Sequence, residues 1–233
     1  MGDVVRVKVD VGSDVPSLPW EDVHGPARAV VYGLLGSEDA ELARALHDEG
    51  WAGQPLKPLG LTVPLFRGTQ RRKGVYAASG DGTIWFGSPV PEIVSVLVAA
   101  LAGRAEIRWG TARLRLHGFN VEVGGASDGG YAELSTATPV VVKRDSRYLL
   151  PGEQGFEEVL LHNLAHKADV LGLPVPSGLR VLEAGPRRRF TVRGAPRIGA
   201  QVRVVLEADG RLVKALRSWG LGLDNVQGFG WVR

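Results

Sequence analysis

Trp219-Gly220-Leu221-Gly222-Leu223-Asp224-Asn225-Val226-Gln227-Gly228-Phe229-Gly230-Trp231-Val232-Arg233 is the stretch on which the fold turns. Two Gly-apolar-Gly units, Gly220/Gly222 and Gly228/Gly230, bracket a spacer of five residues. One glycine asks only for a backbone angle that other residues avoid. Four at this spacing predict a backbone bare enough for its N–H groups to face an anion such as phosphate. A tight turn before a last strand would use the same glycines. The order helix, loop, strand excludes the dinucleotide fingerprint, which follows a strand and opens a helix. A P-loop needs Lys-Ser or Lys-Thr after its last glycine, and Trp231-Val232 stands there instead. Upstream, Leu212, Val213, Leu216 and Trp219 mark the apolar side of a helix from Arg211 to Ser218. Arg211, Lys214 and Arg217 share its other side, and a basic helix face leading into a bare loop suits a polyanion.

Before that helix, Arg187-Arg188-Arg189 starts a strand (Phe190, Val192) that joins Val202-Val204-Leu206 through a loop holding Arg193 and Arg197. Guanidinium offers a planar fork of donors, so such a hairpin suits phosphates and guanine edges. Phe156, Leu160, Leu164, Ala168 and Leu171 mark a helix. It carries His162 and His166, the i,i+4 pair that can hold zinc. The glutamate of H-E-x-x-H is absent, Asn163 standing in its place, and no third ligand is evident. The pair therefore reads as a helix face. A strand from Tyr131 to Lys143 precedes it, and the glycine-rich residues 124–130 read as a linker.

In the first half, Val5, Val7, Val9 and Val11 alternate with Arg6, Lys8 and Asp10, a half-buried strand. A helix is expected from about Trp20 to Leu35, closed by Gly36, with His24, Arg28 and Tyr32 four residues apart on one stripe. Ser37 is the expected cap of the next helix, which ends near Glu49 with His47 in its last turn. Carbonyl ends there favour imidazolium, and a histidine that exchanges protons near neutrality suits acid–base work. A simple helix cap would look the same. Lys57 enters an apolar strand running through Phe66, and Gly68 to Gly74 form a turn carrying Arg71, Arg72 and Lys73. Pro91 opens a helix through about Leu101, and the alternation after Glu106 changes parity near His117-Gly118, as a bulge would make it.

Tyr32, the Leu46-His47 pair closing a helix, Lys57 at a strand entry, and the four glycines 220, 222, 228 and 230 together resemble one family. It is the repeat-RNA (pre-crRNA) processing endoribonucleases of CRISPR systems, in the RAMP superfamily. The resemblance spans nearly the whole chain. Strand–helix–strand–strand–helix–strand, read in the first half with its first helix doubled and again in the second half, is the ferredoxin-like pattern. The resemblance thus implies an α+β protein of two tandem ferredoxin-like domains, expected over 1–123 and 124–233. It also implies a metal-independent endoribonuclease in which the 2′-hydroxyl attacks the adjacent phosphorus, leaving a 2′,3′-cyclic phosphate and a 5′-hydroxyl.

On that reading His47 is the acid–base residue, Lys57 stabilises charge, Tyr32 positions or exchanges a proton, and His24 is a rival on the same stripe. CRISPR repeat RNA is the implied partner, touched by Arg28, the two basic clusters, Arg193, Lys214, Arg217 and the glycine loop. Other CRISPR effector subunits and a homodimer are the further partners the family allows. The alternative of a different class is a non-catalytic RAMP-fold RNA-binding subunit of an effector complex.

Composition agrees with these expectations. Hydrophobic residues make up 44% of 233, enough for proper cores, and no apolar run is long enough to span a bilayer. No secretory signal is read at Met1, so a cytoplasmic location is expected. The absence of cysteine excludes disulfides, thiolate zinc sites and a thiol nucleophile, and neither a cofactor nor a metal is expected. The net charge of +3 conceals an asymmetry: residues 1–66 hold five Lys/Arg against ten Asp/Glu, and the remainder holds 23 against 15. Basic charge gathered in one part of a chain is the footprint of nucleic-acid contact, although a solvated surface carries it too.

Overall fold

In the computed structural model, residues 5–69, 73–124 and 129–233 are described. Alternating valines make β1 (Val5–Ser13) a strand with Val7, Val9 and Val11 fully buried and Arg6 and Lys8 on the other face. A short β2 (Ser17–Leu18) follows. The helix expected from Trp20 to Leu35 is broken. α1 (Glu21–His24) ends at Gly25, and α2 (Ala27–Glu38) starts afresh after Pro26. Proline is at home at a helix start and not inside one, so the Gly25-Pro26 pair ends one helix and begins another. α2 runs past Gly36, and the cap of α3 (Ala40–Asp48) is Asp39, not Ser37: its carboxylate accepts from the Leu42 N–H at 2.8 Å.

The expected strand through Phe66 is two short pieces, β3 (Gly60–Leu61) and β4 (Leu65–Phe66), both on β6 (Gly82–Ser88). β5 (Tyr76–Ala77) pairs with β2. After α4 (Pro91–Leu101), β7 (Glu106–Trp109) and β8 (Ala112–Val123) form a hairpin. The sheet order β3-β6-β1-β8-β7 is wholly antiparallel. The expected bulge is present: Asp10 faces Gly118 and Val11 faces Leu116, leaving His117 without a partner across the ladder. α2 and α4 cover one face, where Val31, Leu35, Ile93 and Leu97 meet Ile84 and Phe86.

The second half repeats the plan. β9 (Gly130–Ser135) stops earlier than expected, and β10 (Val142–Arg144) and β11 (Arg147–Leu149) form a separate hairpin. α5 (Phe156–Val170) precedes β12 (Gly178–Ala184). β13 (Arg188–Val192) pairs with β14 (Ala195–Gly199), a hairpin of its own, and not with β15 (Val202–Ala208) as expected. α6 (Gly210–Trp219) leads into the glycine loop, with a 3-10 turn at Asn225–Gln227. Val232 then bridges to Thr136, just past β9. The order β12-β15-β9-Val232 matches that of the first sheet, so both halves are ferredoxin-like.

The halves are joined tightly. α6 packs on β3 and β6 of the first sheet, and the 3-10 turn packs on α2 and β3. The Arg6 guanidinium lies over Trp85 and Trp231, 4.7 and 4.9 Å from the ring centroids, and donates to the Val232 carbonyl at 3.1 Å. Among the described residues, no helix is long and apolar enough to cross a membrane.

Candidate functional site

α3 packs on α2 and carries its last turn alongside Tyr32. The Tyr32 and His47 rings meet edge to face, centroids 5.0 Å apart. His47 Nδ1 lies 2.8 Å from the Asp48 carboxylate, and Nε2 lies 2.8 Å from an Arg28 guanidinium nitrogen. Guanidinium only donates. Nε2 therefore accepts and carries no proton, while Nδ1–H donates to Asp48. The two neighbours fix one neutral tautomer and leave Nε2 as the basic atom.

Burial, partly offset by Arg28 and reinforced by Asp48, pushes the Tyr32 phenol up to about 12. Its hydroxyl is covered and has no hydrogen-bond partner among the described residues. At neutral pH it is thus a donor in reserve and not a base. Lys57 lies in the loop before β3, not at a strand's first residue. Burial lowers its pKa, Arg28 lowers it further, and Asp48 opposes them. Those influences put Lys57, Arg28 and the His47–Asp48 pair in one electrostatic neighbourhood.

His24 ends α1, before the Gly25-Pro26 break, while Arg28 and Tyr32 lie on α2. It is 2% exposed and stacks on Phe229 at 4.0 Å with the planes 6° apart. Phe190 of the arginine hairpin meets its edge at 4.4 Å. Its Nδ1–H donates to the Gln227 carbonyl at 2.8 Å. Burial pushes its pKa down to about 4, against the pull of that hydrogen bond. A neutral ring held between two phenylalanines is a poor proton carrier near neutrality. His24 joins α1, the arginine hairpin and the glycine loop into one block.

The loop itself is folded inward. Leu221, Phe229 and Trp231 are buried, and the N–H groups of Gly220, Leu221, Leu223, Gln227, Gly228, Gly230 and Trp231 all donate within the protein. The expected row of uncovered amides is therefore mostly spent. The glycines answer another need. At Gly230 (φ +70°) a Cβ would collide with the Leu221 carbonyl oxygen, and at Gly222 (φ +66°) it would lie 2.6 Å from that of Val141. Gly220 and Gly228 also take left-handed angles.

Two residues absent from the sequence-based expectations clamp this loop. Lys167 on α5, 1% exposed, donates to the Gly220 carbonyl at 2.8 Å and to Asn225 Oδ1 at 2.7 Å, with its ammonium 4.8 Å from the Trp219 ring centroid. Burial pushes its pKa well below the ordinary lysine range. The Asn225 amide nitrogen donates to the Leu221 and Phe229 carbonyls at 3.1 and 3.0 Å, tying the two glycine pairs together. The signal available was positional: Lys167 stands in the apolar stripe of α5, between Leu164 and Leu171.

Arg187, Arg188, Arg189 and Arg193 are exposed on the β13–β14 hairpin, with Arg193 in a left-handed turn. Arg197 of the same hairpin pairs with Asp224 of the glycine loop at 2.6 Å. On α6 only Arg211 is fully exposed, and it is engaged by Asp209; Lys214 and Arg217 are half-buried. Lys73 is exposed, while Arg71 and Arg72 lie outside the described residues. His162 and His166 face each other at 2.9 Å on the exposed side of α5. Among the described residues, no group of three or more His, Cys, Asp or Glu side chains is arranged to hold a metal ion. A cleft of about 230 Å³ runs between Arg28 and Lys57 on one side and Lys167 and residues 222–227 of the loop on the other.

Residues 127–233 match the family model for CRISPR associated protein Cas6, C-terminal. A search of curated proteins finds no match. Solved structures match over the whole chain at low identity. The product of a Cas6-related gene from Pyrococcus furiosus is 16% identical, with 99% of this chain and 98% of that chain covered and a TM-score of 0.82. A RAMP protein binding different RNA substrates is 17% identical, with 98% of each chain covered and a TM-score of 0.79. A Cas6 solved as its product complex is 18% identical, with coverage of 100% and 99% and a TM-score of 0.67.

Proposed function

We propose that this protein, whose residues 127–233 are a Cas6 C-terminal domain and whose whole length has the Cas6 fold, cuts the repeats of CRISPR transcripts into guide RNAs. The observation that carries the proposal is His47: its tautomer is fixed by Asp48, and its basic Nε2 is turned to Arg28 beside Tyr32. A non-catalytic RAMP-fold subunit would use the same loop and arginines, but it has no need of a histidine set up as a base.

When RNA enters, Arg28 leaves Nε2 for a phosphate oxygen, and Nε2 takes the proton of the 2′-hydroxyl. That oxygen attacks the neighbouring phosphorus. Lys57 and Arg28 offset the charge gathered on the phosphorane oxygens. The bond from phosphorus to the 5′-oxygen breaks, and the Tyr32 phenol, which has no hydrogen-bond partner among the described residues, gives its proton to the leaving oxygen. The resulting phenolate recovers its proton from imidazolium, so the cycle closes. The products are a 2′,3′-cyclic phosphate and a 5′-hydroxyl.

Every step uses side chains of this protein, so cleavage of repeat RNA should proceed in excess EDTA. Chromatography of the products checks both the rate and the ends. An absolute requirement for added Mg²⁺, or a 3′-hydroxyl end, would overturn the mechanism.

A further inference from the structure

The cleft beside the candidate catalytic cluster holds hydrogen-bonding capacity that the fold does not use. Asn163 on α5 and Gln227 in the glycine loop both line it. Neither carboxamide makes a side-chain hydrogen bond among the described residues, and the oxygen of each is covered without a partner. A covered polar atom without a partner costs free energy, so it needs an explanation beyond folding. Around the two amides, Leu56, Leu223 and Val226 supply apolar wall, and Arg28 and Lys57 supply positive charge. Apolar wall, two amide edges and flanking cations match the parts of one nucleotide: a flat base, its polar edge and its phosphate. The volume of about 230 Å³ admits a single unstacked nucleotide and no duplex.

We infer that this cleft is a specificity pocket for one unpaired base next to the scissile phosphate, with Asn163 and Gln227 reading its edge. A carboxamide presents a donor and an acceptor side by side, the pairing that matches a base edge in two hydrogen bonds. Single-stranded RNA is read in this way, by splaying a base out of the stack into a pocket. The inference rests on the proposed RNA cleavage for its substrate, yet it makes a separate demand on sequence preference.

The test uses the repeat RNA of the protein's own genome, with each of the four nucleotides on either side of the cut replaced in turn. For the wild type, one position should show a preference of roughly ten- to hundredfold in kcat/KM among the four bases. In Asn163→Ala and Gln227→Ala that ratio should collapse towards 1. Asn163→Asp, which keeps the shape but cannot donate, should re-rank the bases, and thermal unfolding shows which variants are folded. A wild type with no preference at any position, or folded variants that keep the wild-type ratio, would overturn the pocket. If the wild type binds but does not cut, the cleavage proposal fails alone, and the same ratio measured as Kd still decides the pocket.

Discussion

His24 shows what a single buried ring does for this protein. Its pKa is about 4 in the folded chain against 6.5 for an ordinary histidine, and burial is the main cause. The unfolded chain therefore binds a proton between those values when the folded one does not, so stability rises with pH in that window. The contribution is fully present above about pH 6.5 and is lost as the pH falls towards 4. Between pH 7 and pH 5 it amounts to about 2 kcal/mol. Urea unfolding of the wild type and of His24→Phe, which keeps the stack on Phe229, should differ in pH slope by that amount. Equal slopes would mean that His24 is not held neutral in the folded state. The position of His47 in a last helical turn was legible from the sequence pattern, while its association with Tyr32 was implied only by the family resemblance. The burial of His24 was not, because its partners Gln227 and Phe229 are some 200 residues away. The Gly25-Pro26 pair was nevertheless a visible sign that the helix stops there.

Among the elements, the glycine loop carries the most information. Its four glycines were legible as a site needing special backbone, while the reason for them was not. A sequence cannot show that a Cβ at Gly230 would strike the Leu221 carbonyl, because that contact depends on the loop closing on itself. Substitutions in this loop therefore act first on folding and only through it on binding. Gly230→Ala should cost several kcal/mol, adding a backbone collision to the left-handed strain of about 1–2 kcal/mol. Gly53→Ala is the control, since φ is +73° there and, among the described residues, nothing beyond the chain neighbours lies within 4 Å of the added carbon. It should cost the strain alone. Chemical denaturation of the two variants measures the difference, and equal losses would show that the loop has room to spare. The hairpin β13–β14 was misread for a related reason. Its strands pair with each other, β13 packs on α1 and β14 on β11, and no local pattern distinguishes that from pairing with β15.

At the scale of the whole molecule, two ferredoxin-like halves meet so that α2, the loop before β3, α5 and the glycine loop line one cleft. Element order made that architecture legible, and the charge asymmetry pointed to a polyanion, but neither located the cleft. Exposed Arg187, Arg188 and Arg189 should release counterions when RNA binds. Replacing all three by alanine should flatten the slope of log K against log salt by about 2, at roughly 0.7 per phosphate contact on a single strand. An unchanged slope would mean that RNA passes elsewhere. The most direct test of the central claim is single-turnover cleavage of repeat RNA in EDTA by the wild type and by His47→Ala, with filter binding on the same RNA. His47→Ala should lose roughly 10²–10⁴ in rate, the usual worth of one positioned acid–base group, while its affinity stays close to that of the wild type. Undiminished cleavage by His47→Ala would contradict the account.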